Sequence, residues 1–97
     1  MFVGILTFHI LLESSRSLKE KRGQIKPLLN YLHKKFNVSA AEIDYLDSWN
    51  KSVLACALIG NERHSLETRL GEIYHYTEIN FRNVQFLDYK IRKKTIK

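Results

Sequence analysis

Five cations stand in the stretch SRSLKEKRGQIKPL, residues 15–28: Arg16, Lys19, Lys21, Arg22 and Lys26. With the hydroxyls of Ser15 and Ser17 and the free N–H groups of a helix start, they supply the ingredients of a phosphate site. The helix dipole makes their placement informative. Near an N-terminus each cation costs about a few tenths of a kcal/mol unless an anion sits among them. Lys34 and Lys35 need no such partner, because they fall in the last turn of the same predicted helix, where cations are favoured. At 100° per residue Lys19, Arg22, Lys26, Asn30 and His33 form one stripe beside the apolar face, with Arg16 just ahead of the helix. The opposing reading is internal: Glu13 and Glu20 neutralise part of the cluster, and the stem of Lys21 runs along the core edge.

A second group, Trp49, Asn50 and Lys51, sits at a predicted hairpin tip, where Trp49 either stacks on a base or folds back over the sheet end. A third group is the basic C-terminal tail, residues 92–97, with Arg92, Lys93 and Lys94. No catalytic set is identified. His9, His33, His64 and His75 are expected on separate elements without metal-ligand spacing, and no Ser/His/Asp or Cys/His partners stand out. A phosphate cradle after the first strand would need glycine, and Glu13-Ser14-Ser15 has none. The reading is therefore a binding module without metal or cofactor.

The elements that position these residues follow from periodicity. Phe2 to Leu12 is rich in β-formers with apolar residues at alternate positions, a long strand. Ser17 and Glu20 form the capping box S-x-x-E, and Leu18, Ile25, Leu28, Leu29, Leu32 and Phe36 follow at helical spacing. Pro27 falls opposite the carbonyl of Gly23, which predicts a kink without a break. Val38 to Asp47 and Ser52 to Gly60 read as two strands of a hairpin. Asn61 is placed to cap a second helix carrying Leu66, Leu70, Ile73 and Thr77, and Val84 to Ile91 is a fourth strand. The order βαββαβ predicts one α+β, ferredoxin-like domain over residues 1–97, with sheet order 4-1-3-2 and both helices on one face. The opposite sheet face, with Val3, Ile5 and Leu11, is apolar enough to predict a homo-oligomer, most simply a twofold dimer with sheets facing or edges paired.

Composition sets the limits. The chain has 97 residues, 44% of them hydrophobic, and one cysteine, Cys56, so no disulfide framework is available and a reducing, cytoplasmic setting is expected. The run MFVGILTFHILL lacks the flanks of a signal peptide, and no stretch reaches membrane-spanning length. The net charge of +6 is concentrated: residues 14–36 hold seven Lys and Arg against one Glu, and residues 90–97 hold five against no acid. Local excess of this kind suits a polyanionic partner, RNA first among them.

The motifs RSLKEKR (16–22), FNVS (36–39) leading to Ala41-Glu42, and Asp47-Ser48-Trp49 resemble the YlxP-like family of small uncharacterised bacterial proteins of ferredoxin-like fold. Ser14-Ser15 replaces a more usual Pro/Gly turn, and the tail is not a fixed feature of that family. The resemblance implies a setting among genes of translation initiation and ribosome maturation, and no catalytic residues. The expected function is electrostatic binding of RNA or a ribosomal particle through Arg16, Ser17, Lys19, Lys21, Arg22 and Lys26, with auxiliary contacts from Trp49, Asn50, Lys51, Arg92, Lys93 and Lys94. The alternative is an oligomeric module that contacts an acidic protein.

Overall fold

In the computed structural model, which describes residues 1–97, alternation of side chains along Phe2–Leu11 (β1) sends Leu6, Phe8 and Ile10 into the core. β1 is followed by a helix over Leu18–Phe36 (α1), strands at Ser39–Asp44 (β2) and Lys51–Gly60 (β3), a helix over Arg63–Asn80 (α2) and a strand at Gln85–Thr95 (β4). The four antiparallel strands lie in the order β2-β3-β1-β4, as expected. Leu28 and Leu32 of α1 and Leu70, Ile73 and Tyr74 of α2 close over one face, together with Leu54 and Cys56 of β3. Gly4 lets α2 approach β1: a methyl group there would stand 2.4 Å from Leu66 Cδ2 and 2.7 Å from Leu70 Cδ1.

Three boundaries differ from the sequence reading in ways that bear on the site; the other strand ends fall within one residue of it. β4 runs on through Arg92, Lys93 and Lys94, so these residues are strand and not tail. The ladder closes where the Ile96 N–H donates to the Met1 carbonyl at 2.8 Å. β2 ends at Asp44, because its register slips by one residue between Glu42 and Asp44 and Tyr45 turns left-handed at φ 59°. The cap of α2 is Glu62, whose carboxylate accepts from the Ser65 N–H at 2.6 Å, and not Asn61. That bond is the first cause of a Glu62 pKa below the usual carboxylate range. α1 passes through Pro27 unbroken.

On the open sheet face Val3, Ile5, Thr7, His9 and Leu11 of β1 alternate with the buried set, beside Val53, Ala55, Ala57 and Ile59 of β3. Lys90, Arg92 and Lys94 of β4 share that face, because they pair with Thr7, Ile5 and Val3. A second register slip, between His9 and Ile10, leaves Leu87 as an extra residue in β4. Both edge strands thus carry bulges, which blunt edge-to-edge pairing.

Candidate nucleic-acid interface

The start of α1 is capped by its own side chains. Ser17 is the N-cap, and its Oγ accepts from the Glu20 N–H at 3.1 Å. The Glu20 carboxylate reaches back to accept from the Arg16 N–H, one residue ahead of the usual capping-box partner. Ser15 is buried and donates its hydroxyl to the Ser17 carbonyl at 3.2 Å. The expected phosphate ligand Ser17 therefore holds the helix end instead, and an anion there would compete with the cap.

Lys21 is also corrected. Its residue is 2% exposed, and the ammonium donates to the carbonyls of Tyr45 and Ser48 at 2.6 Å each and pairs with the Glu42 carboxylate at 2.8 Å. Three donors meet three acceptors, so nothing is left for a ligand. Glu42 in turn accepts from the Ser52 hydroxyl at 2.7 Å. Lys21 thus ties the β2–β3 turn to α1 and holds the left-handed residue Tyr45 by its carbonyl.

Arg16, Lys19, Arg22 and Lys26 remain exposed, and none pairs with a carboxylate; the ion pairs of the molecule are Lys21–Glu42 and Lys93–Glu67. Beside this stripe lies a groove of about 410 Å³ between α1 and the β2 side of the sheet. Leu18, Ile25, Leu29 and Leu46 supply its apolar surface, and Arg22, Lys26, Asn30 and His33 its polar side along α1. His33 Nδ1 stands 2.9 Å from the Val38 carbonyl, which only accepts, so Nδ1 carries the proton. Sequence reasoning found the stripe and missed the groove, because Leu46 arrives from the turn after β2.

The other candidates divide. Lys93 points to the helix layer and pairs with Glu67, whose pKa is lowered by that hydrogen bond. Arg92 and Lys94 lie with Lys90 on the open sheet face at the β4 edge. α1 lies over the β2 side, so the two basic patches occupy opposite edges and opposite faces and do not form one surface. At the hairpin tip, Trp49 is 53% exposed, so it is not buried against the sheet end. Asn50 is engaged in the turn: its carbonyl accepts from the Leu12 N–H at 2.7 Å and its side chain from the Ser48 hydroxyl at 3.2 Å. Lys51 is exposed. His64 and His75 share α2, about three turns apart, while His9 and His33 lie on β1 and α1. The open face of β1 and β3 carries no Phe, Tyr or Trp, so the sheet offers no platform for stacked bases.

A four-stranded antiparallel sheet in this order, with both helices on one side, defines a ferredoxin-like fold, and solved structures agree. The chain is similar to the de novo designed protein Foldit4 (TM-score 0.52, 12% identity, all of both chains). It is equally similar to SnoaB, a cofactor-independent oxygenase from Streptomyces nogalater (0.52, 8% identity, 98% of this chain and 92% of that one). A third likeness is the de novo designed LFR1 1, a ferredoxin fold (0.50, 9% identity, 97% and 83%). At such identities these likenesses show the fold alone. The chain belongs to DUF503, a family of proteins of unknown function, which residues 3–91 match. It is also 30% identical over 76 residues, 78% of this chain and 83% of the relative, to the uncharacterized protein YlxP of Bacillus subtilis (strain 168). No helix is long and apolar enough to cross a membrane.

Proposed function

We propose that this protein binds RNA, as a non-catalytic module, through the phosphate backbone along α1. One observation carries the reading: Lys19, Arg22 and Lys26 stand exposed and without a carboxylate partner along the N-terminal half of α1, with Arg16 just ahead of it, and Lys19 falls in the first turn, where the dipole disfavours cations. From Lys19 to Lys26 the stripe rises about 10 Å along the helix axis, long enough to meet more than one phosphate. Ribosomal subunits are the first target, given the translation setting that the family resemblance implies.

The test is co-sedimentation with ribosomal subunits over a salt series, with ribonuclease controls. Wild-type affinity is expected to fall log-linearly with salt, by about 0.7–0.9 per phosphate contact. A Lys19→Ala/Arg22→Ala/Lys26→Ala variant is expected to bind more weakly and to flatten the slope by about 2–3. Saturable one-to-one binding that ignores ribonuclease would instead identify an acidic protein partner.

Self-association on the open sheet face is part of the same proposal. The bulges of β2 and β4 disfavour the edges. A twofold axis along the strands between two facing sheets keeps the Lys90, Arg92 and Lys94 rows of the two copies at opposite edges while Ile5, Ala55 and Ala57 pack centrally. Sedimentation at micromolar concentration is expected to give the dimer mass, and Ala57→Lys the monomer mass; a wild-type monomer would overturn it.

A further inference from the structure

We infer that the groove beside α1 holds unpaired bases, so that the protein reads single-stranded RNA in preference to duplex. This rests on the RNA reading above and names which form of RNA it takes. A phosphate surface alone gives no preference for single strands, because it meets only the backbone, whose charge density is higher in the duplex. Here the cations Arg22 and Lys26 line a groove that also has apolar surface from Leu18, Ile25, Leu29 and Leu46. Leu46 is 60% exposed, so that surface is open to solvent.

A nucleotide has the same two-part character: a charged phosphate, and a base with apolar faces and hydrogen-bonding edges. With its phosphate on Arg22 or Lys26, a base that is not stacked in a helix can enter the groove. Asn30, which offers both a donor and an acceptor, and His33 then lie beside its polar edge. In a duplex the bases are stacked and paired and cannot enter. The groove volume of about 410 Å³ leaves room for such a group.

Charge argues for the same occupant. Glu42, the one acid in the groove lining, is neutralised by Lys21, which leaves Arg22 and Lys26 as the uncompensated charges. An acidic peptide shares that complementarity. It would gain most by adding a strand to β2, but that edge is six residues long, slips register after Glu42 and ends at a left-handed Tyr45. The observations therefore favour nucleotides.

The test is fluorescence anisotropy with a labelled single-stranded RNA of mixed sequence, alone and annealed to its complement, at two salt concentrations. The single strand is expected to bind about tenfold more tightly than the duplex. Leu46→Gln adds no charge at an exposed position. It is expected to bring the two affinities together while leaving duplex binding and the salt slope unchanged. Leu29→Gln, checked for an unchanged melting temperature, is expected to do the same. Equal wild-type affinity for single strand and duplex overturns the groove and leaves the RNA reading intact. A preference that survives both substitutions also overturns the groove. Failure to bind either form, or binding of a labelled Asp/Glu-rich peptide in place of RNA, overturns both.

Discussion

Lys21→Met is expected to destabilise the protein by about 3–5 kcal/mol, the range for removing one partner of a buried ion pair. The side chains of Lys21 and Glu42 are 3% and 20% exposed, so Glu42 would be left largely out of water with only the Ser52 hydroxyl as a partner. The Ser48 carbonyl loses its donor, and the Tyr45 carbonyl keeps only the Ser48 N–H at 3.0 Å. Tyr45 adds a backbone term: a bulky residue at φ 59° costs of order 1 kcal/mol or more, and its carbonyl bond to Lys21 helps hold it there, beside the Ser48 N–H on the same carbonyl and the Asp44 carboxylate on its own N–H. Lys21→Arg is expected to rescue little, because a planar fork cannot reach three acceptors arranged around a compact ammonium. Lys21→Met/Glu42→Leu is expected to recover part of the loss by removing the unpaired charge. Urea unfolding of wild type, both single variants and the double variant measures the coupling. Independent, additive losses from Lys21→Met and Glu42→Leu would show that the pair does not hold the turn. If Lys21 instead contacted RNA, its loss would lower affinity at unchanged stability.

The same residue shows how far the chain can be read without its structure. Helical spacing placed α1 over Leu18 to Phe36, and the pair Ser17 and Glu20 marked its start. The signal for Lys21 was also present: it stands seven residues before Leu28 and eleven before Leu32, in line with the middle of the buried stripe. Charge made it look like surface, and only the turn after β2 supplies the carbonyls that make burial tolerable. The extent of β4 was hidden for a different reason. Between Lys90 and Lys94 the residue facing the helices is as often cationic as apolar, with Ile91 and Lys93 inward, so no period of two survives in hydrophobicity. The ten residues of β1 decide how far the ladder runs. The bulge in β2 and the cap at Glu62 depend on local backbone geometry that several nearby residue types satisfy equally well.

Separating the two basic patches changes what each can do. The sequence reading had the C-terminal cations assist the α1 stripe, whereas the fold assigns α1 to the helix layer over β2 and Lys90, Arg92 and Lys94 to the open face at β4. If two copies join through their open faces, the α1 stripes point outward on opposite sides of the dimer. Each is then free to engage RNA, and two weak sites on one RNA gain from effective concentration.

Alkaline pH is expected to unfold this protein through Cys56. The thiol is 1% exposed at the centre of β3, and burial pushes its pKa up to about 12 from 9.0. In the unfolded chain the thiol ionises near pH 9, whereas in the fold it stays neutral until about 12. The burial contribution is therefore fully present below pH 9, and it is lost as pH rises from there towards 12, where ionisation in the unfolded chain pulls the equilibrium away from the native state. Each pH unit in that window removes about 1.4 kcal/mol, and of order 3–4 kcal/mol is at stake across it. Tyr31 and Tyr74 act in the same direction, since desolvation raises both of their pKa values. Cys56→Ala separates the thiol from the tyrosines: its urea midpoint starts lower, because a buried group is gone, but it is expected to fall less steeply between pH 9 and 11 than that of wild type. Parallel slopes for the two proteins would show that the thiol is not what the alkaline transition titrates. A disulfide reagent gives the second readout, with reaction expected only at the rate of unfolding because the thiolate forms only in the open chain.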